Sequence, residues 1–168
     1  MKRFGLVVLG VLGGAAFAQM TLMSAGCAVL RPGSVRFDPE PDLEEEVLRA
    51  ARRIHDAMGV EVAVGSGDRD LVVPVRRAPP SARPGVDGRS DWSGHFDGTE
   101  IVVNEELSDD ALPRTVLHEM IHALMLSDEH LPTGSVMATE GPGDSKLSVE
   151  DLEWICQRVP CRWMRPEA

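Results

Sequence analysis

His118-Glu119-Met120-Ile121-His122 has the residue types and spacing to build a hydrolytic centre. On a helix, positions four apart share a face one turn apart, so both imidazoles could turn a ring nitrogen toward one Zn2+. Glu119 then stands beside the metal without ligating it. Zinc would acidify a water and polarise a scissile carbonyl, and Glu119 is placed to take the proton as general base. A bare pattern of this length also arises by chance on amphipathic helices that carry histidine, so its surroundings decide its meaning.

Those surroundings run from His118 to Met137, HEMIHALMLSDEHLPTGSVM. The segment resembles the metzincin metallopeptidases, in particular the matrixin-like branch, whose pattern is HExxHxxGxxH or HExxHxxGxxD followed by a Met-turn. The resemblance implies His118 and His122 as the first two metal ligands, Glu119 as general base, Asp128 at the third-ligand position and Met137 as the Met-turn methionine. It extends loosely on both sides, from Ser93 to Gln157. Gly94 to Asn104 looks like the strand above such clefts, and Leu147 to Leu152 looks like the start of the family's last helix.

The sequence departs from the pattern in two places. Met125 stands where the family has a glycine, the residue that leaves the helix in a left-handed conformation without a Cβ penalty. The exit turn must therefore differ or be strained. Asp128 replaces the commoner histidine, as in secreted bacterial metzincins that resemble snapalysin, and a carboxylate is a legitimate zinc ligand. If the chain leaves the helix later, His130 becomes the third ligand instead. A different zincin arrangement would use a glutamate on a later helix, Glu150 or Glu153. Methionine is also a common core filler, which is the plain alternative for Met137. The chain has no tyrosine to assist an oxyanion. No cysteine-switch segment is found, and nothing marks a structural Ca2+ site. His55 and His95 read as surface or structural histidines outside the site.

The elements that must position these residues can be read from periodicity. Asp42 to Met58 is an amphipathic helix, with apolar residues every three to four positions, Asp42 as a cap and Gly59 as a stop. Val60 to Val64 and Leu71 to Val75 read as strands joined through Gly65-Ser66-Gly67-Asp68, and Pro74 predicts an edge position or an irregular course for the second. Arg76 to Asp91, rich in Pro and Gly, reads as an exposed loop. Ser93 to Asn104 reads as a hairpin turning at Asp97-Gly98. The motif helix runs from about Asp110 to Leu126, with Pro113 tolerated in its first turn. A last helix starts at Ser148, with Asp151 placed to complete the cap, and ends before Pro160. Cys156 and Cys161 could bridge across its end.

At 168 residues, 43% apolar and 26% charged, the chain has the composition of one globular domain. A formal charge of −10 with mixed signs argues against nucleic-acid binding. Lys2 and Arg3 precede an apolar run to Ala18 that is short for a membrane span, the layout of an export signal. Two processing readings compete. Ala16-Phe17-Ala18 fits ordinary signal cleavage, whereas Ser24-Ala25-Gly26-Cys27 resembles a lipobox whose Cys27 is acylated, although it lacks the usual Leu. Acylation of Cys27 leaves Cys156 and Cys161 as a pair for an oxidising compartment.

The sequence thus predicts residues 1–26 as a signal peptide, 27–41 as a tether and 42–168 as a metallopeptidase domain. The expected fold is α+β, a metzincin-like small twisted mixed sheet with a backing helix, an active-site helix and a C-terminal helix. The expected activity is zinc endopeptidase action on peptides or proteins outside the cytoplasm, with a lipid anchor to a membrane and with Ile101 to Asn104 as an edge for an extended substrate. Rival readings are an inactive binding lipoprotein on the same fold, or a structural zinc domain closed by His118, His122, Asp128 and His130.

Overall fold

The computed structural model describes residues 35–65, 71–79, 92–132, 134–138 and 146–165. The expected signal peptide and Cys27 lie outside the described residues. Strands β1 (Val35–Pro39), β2 (Ala63–Val64), β3 (Leu71–Ala78), β4 (Gly94–Phe96) and β5 (Ile101–Asn104) form one sheet in the order β2-β1-β3-β5-β4. Only the β4–β5 pair is antiparallel. Helices α1 (Glu44–Met58), α2 (Leu112–Met125) and α3 (Val149–Cys156) complete the expected α+β class. None of the described helices is long and apolar enough to cross a membrane.

Alternation along the strands builds the core. Phe37, Val73, Val75, Ile101 and Val103 are fully buried and pack with Leu43, Ile54 and Met58 of the α1 region and Leu117, Met120 and Ile121 of α2. Gly59 ends α1 in the left-handed conformation, φ 67°, with its N–H on the His55 carbonyl at 2.7 Å. Asp42 does not cap α1 through its side chain; it pairs with Arg77 at 2.7 Å.

Several expectations are corrected. The predicted tether contains β1, which pairs with both β2 and β3 and buries Val35 and Phe37. Its apolar signal is only two inward residues among Pro and Gly, too short to register as a strand alone. The first strand of the expected pair shrinks to Ala63–Val64, while β3 runs on through Arg76 and Arg77. These charges are held on the strand by Glu100 and Asp42 respectively, so a polar pair extends what an apolar pattern would have ended.

Pro74 lies in an interior strand, not at an edge. Val75 and Arg77 direct backbone groups toward the β1 side, through Glu40 N to Val75 O and Arg77 N to Glu40 Oε2, while Ala78 O accepts from Glu105 N beyond β5. By alternation the Pro74 nitrogen faces the β5 side, where pairing begins only at Val75. The missing N–H therefore breaks no ladder bond. Finally, Ile101 to Asn104 is flanked on both sides, and the edge strand is β4.

The β4–β5 turn forms as read. Asp97 Oδ1 accepts from the N–H and hydroxyl of Thr99 and from Glu100 N, and Gly98 takes φ 96°. At the other end of the chain, Ser148 and Asp151 form a reciprocal capping box on α3. The Cys156–Cys161 disulfide is formed, with Cα atoms 5.4 Å apart. Beyond it the chain returns to α1, where Arg162 N, Trp163 N and Arg165 N bond the terminal carbonyls of Met58 and Ala57.

Candidate metal centre

α2 begins with Pro113 in its first turn and buries nearly its whole length, which fixes the faces of His118, Glu119 and His122. The helix continues through Met125. Leu126 then takes the left-handed conformation, φ 50°, the one described residue other than glycine with positive φ. The exit is thus one residue later than the family pattern and lacks its glycine.

This delay changes which residue completes the cluster. Nε2 of His118, His122 and His130 converge: 2.9 Å between the first two, 3.2 Å from His118 to His130 and 3.3 Å from His122 to His130. The three could hold a metal ion. Asp128, the residue at the family's third position, lines the same cavity but contributes no atom to that cluster. His130, the alternative, takes its place because the chain turns after Leu126 and Ser127, where Glu129 N bonds the Ser127 hydroxyl and Glu129 pairs with Arg158. Glu150 and Glu153, on α3, do not line the cavity.

The outer hydrogen bonds set the tautomers. His118 Nδ1 donates to Val136 O at 2.7 Å and His122 Nδ1 donates to Ser127 O at 2.6 Å. With Nδ1 protonated in each neutral ring, both Nε2 atoms carry lone pairs. Burial, the largest cause, pushes the imidazole pKa down to about 3 at His118 and about 4 at His122, against the two carbonyl hydrogen bonds. Two neutral acceptors at 2.9 Å repel each other unless a cation lies between them. A tetrahedral ion with nitrogens at about 2.0–2.1 Å sets them roughly 3.3 Å apart. The donor set and its spacing therefore fit a metal.

The turn that bears Val136 is braced from α3. Asp151, fully buried, accepts from the Ser135 hydroxyl, and the same hydroxyl accepts from Met137 N at 2.8 Å. Asp151 Oδ2 also takes the Ser148 N–H and hydroxyl. Met137 is fully buried in the core at this turn.

The cavity in front of the histidines has a volume of about 220 Å³. Glu119, 5% exposed, lines it. Its opposite wall is the β4 edge, held by Asn104: the side-chain amide donates to Trp92 O at 2.8 Å and the backbone N–H to Ser93 O. Gly94 permits the approach, since a Cβ there would stand 2.5 Å from Thr115 Cγ2 and 3.0 Å from Glu119 Cγ.

The sequence reading did not single out several residues of the cavity wall. His95, set aside as structural, lines the cavity, as do Gly94 and Arg114. Arg114 carried a signal, since it lies four residues before His118 on the same helical face. His95 and Gly94 depend on which strand faces α2, a long-range fact. His55 stays outside the cavity, against Trp163. No protein-family model matches the chain, and no curated protein matches it either.

Proposed function

We propose that the chain is a zinc-dependent endopeptidase of the metzincin type, with His118, His122 and His130 as ligands and Glu119 as general base. The observation that carries the reading is the convergence of His118 Nε2 and His122 Nε2 at 2.9 Å, completed by His130 and flanked by Glu119 in one cavity. A zinc ion so held would supply Lewis acidity toward a carbonyl oxygen and an acidified water.

This chain's residues do the rest. Glu119, buried next to the ligands, accepts the proton of the attacking water and returns it to the leaving amine nitrogen. The carbonyls of Val136 and Ser127 keep the ligand imidazoles in one tautomer and orientation. Among the described residues β4 is the edge strand of the sheet and lies along the cavity, where an extended peptide can add as a strand, which favours a peptide as substrate. Three histidines rather than four closed ligands leave a position for water.

The same reading places the domain outside the cytoplasm, held at a membrane by acylated Cys27, with cleavage after Ala18 as the competing route. The formed disulfide supports an oxidising compartment. Mass spectrometry of the mature N-terminus decides between the routes.

The activity test compares the full chain with Glu119→Ala on casein and a peptide library. The wild type should hold one zinc and cleave. Glu119→Ala should keep zinc and lose about 10²–10⁴-fold in rate. If both hold zinc and neither cleaves, a structural site closed by Asp128, or an inactive binding lipoprotein, replaces the enzyme.

A further inference from the structure

We propose that Arg114 recognises a carboxylate on the substrate, close to the bond that is cleaved. The inference rests on the peptidase reading above and adds a substrate class to it.

Arg114 lines the cavity with His118, Glu119 and His130. The chain is acidic, with 27 Asp and Glu against 17 Lys and Arg. In that background Arg49, Arg76, Arg77 and Arg158 each pair with a carboxylate. Arg114 pairs with none among the described residues. Among the described residues its guanidinium donates from Nη2 to Ala138 O at 3.1 Å, and its buried Nε has no partner. Guanidinium carries five N–H donors in a planar fork, so the bond to Ala138 leaves donors that a carboxylate entering the cavity can take.

The bond to Ala138 also fixes where the fork lies. Ala138 is bridged to Leu131, and its neighbour Met137 O accepts from Leu131 N, so the anchoring carbonyl is tied to the segment that carries His130. Arg114 precedes His118 by four helical residues, about 6 Å along the axis. An extended peptide advances about 3.4 Å per residue. A carboxylate on the fork would therefore belong to a substrate residue within a few positions of a carbonyl at the three histidines. It has two sources. An Asp or Glu side chain would make the enzyme an endopeptidase with an acidic preference, whereas a terminal carboxylate would direct it to the last residues of a chain.

Binding is measured first, so that the result does not depend on turnover. Zinc-loaded full-length Glu119→Ala is titrated calorimetrically with three sets of peptides on one core sequence: Asp or Glu scanned along a C-terminally amidated peptide, Asn or Gln at the same places, and the neutral peptide with a free C-terminus. Carboxylate peptides should bind about tenfold or more tighter than their amide isosteres. The set that shows the preference identifies the source.

Adding Arg114→Gln to Glu119→Ala should abolish the ratio, and Arg114→Lys should retain part of it, with zinc content and melting temperature showing that both variants fold. An acid-to-amide ratio near one in the Arg114 protein, or one that Arg114→Gln leaves intact, overturns the proposal. Cleavage by the wild type is scored separately with the same peptides. A zinc-loaded protein that binds carboxylates through Arg114 but cleaves nothing would sink the peptidase reading and leave the binding site standing.

Discussion

His122 Nδ1 donates to the carbonyl of Ser127 at 2.6 Å, so the chain just beyond the helix exit orients a ligand still on the helix. The same short segment, turned by the left-handed Leu126, delivers His130 to the cluster. Exit geometry and ligand identity are thus one structural decision.

This decision predicts opposite results for neighbouring substitutions. His130→Ala should lose zinc affinity by more than the roughly 10–100-fold that removal of an outer hydrogen-bond partner costs, because a ligand itself is gone. Asp128→Asn should hold one zinc close to the wild-type affinity. Competitive titration against a chromophoric chelator reads both. Zinc loss in Asp128→Asn with retention in His130→Ala would restore the family's third-ligand position.

A second prediction concerns the brace behind the centre. Asp151 accepts bonds from Ser135 and Ser148 with no exposure to water. Asp151→Asn replaces one acceptor oxygen with a donor, which faces either the Ser148 N–H or the Ser135 hydroxyl. Loss of a buried, charge-assisted bond should destabilise the domain by roughly 2–3 kcal/mol in urea unfolding. Because Ser135 bonds Met137 N in the turn that presents Val136 O to His118, zinc affinity should fall as well. Unchanged stability and affinity would show that the brace is idle.

Features written in local sequence were legible. The i, i+4 histidines, the Ser148–Asp151 cap, the Asp97-Gly98 turn and the Cys156–Cys161 pair each depend on residues within one or two turns of chain. Features set by distant partners were not. β1 gives a weak apolar signal and becomes a strand because β3 covers its flank. Pro74 is tolerated in the interior because β5 starts one residue later. The choice of His130 over Asp128 hung on where a helix without its exit glycine would turn. His95 entered the site only when β4 folded against α2.

Acid should act on the β3–β5 surface in a defined direction. The Arg76 hydrogen bond is the largest cause holding Glu100 below its ordinary value of 4.5, and the Glu100 N–H is the largest holding Asp97 below 3.8. Both carboxyls are depressed in the folded state, so their contribution is full above the unfolded values and fades as pH falls through the folded ones. With a chelator present to remove any effect of metal, the urea midpoint should decline as pH drops below about 4.5. Arg76→Gln should start slightly lower and lose less. These groups are exposed, so the difference is small. An identical acid slope in the variant would remove Arg76 from the account.

The last prediction tests the approach of β4 to the motif. Gly94 has a negative φ and owes its place to space rather than backbone freedom: a Cβ would meet Thr115 Cγ2 at 2.5 Å, Glu119 Cγ at 3.0 Å and Glu119 Oε1 at 3.1 Å. Thr115 is buried and cannot swing away, so Gly94→Ala must lift the edge strand or displace Glu119. Overpacking of this kind costs about 1–3 kcal/mol. The histidines lie on the helix and on the loop beyond it, so zinc content should hold while hydrolysis falls. Thr115→Ser removes the Cγ2 methyl that makes the tightest contact, and combined with Gly94→Ala it should recover part of the stability. If Gly94→Ala alone leaves both stability and hydrolysis at wild-type levels, β4 does not pack against Glu119 as described.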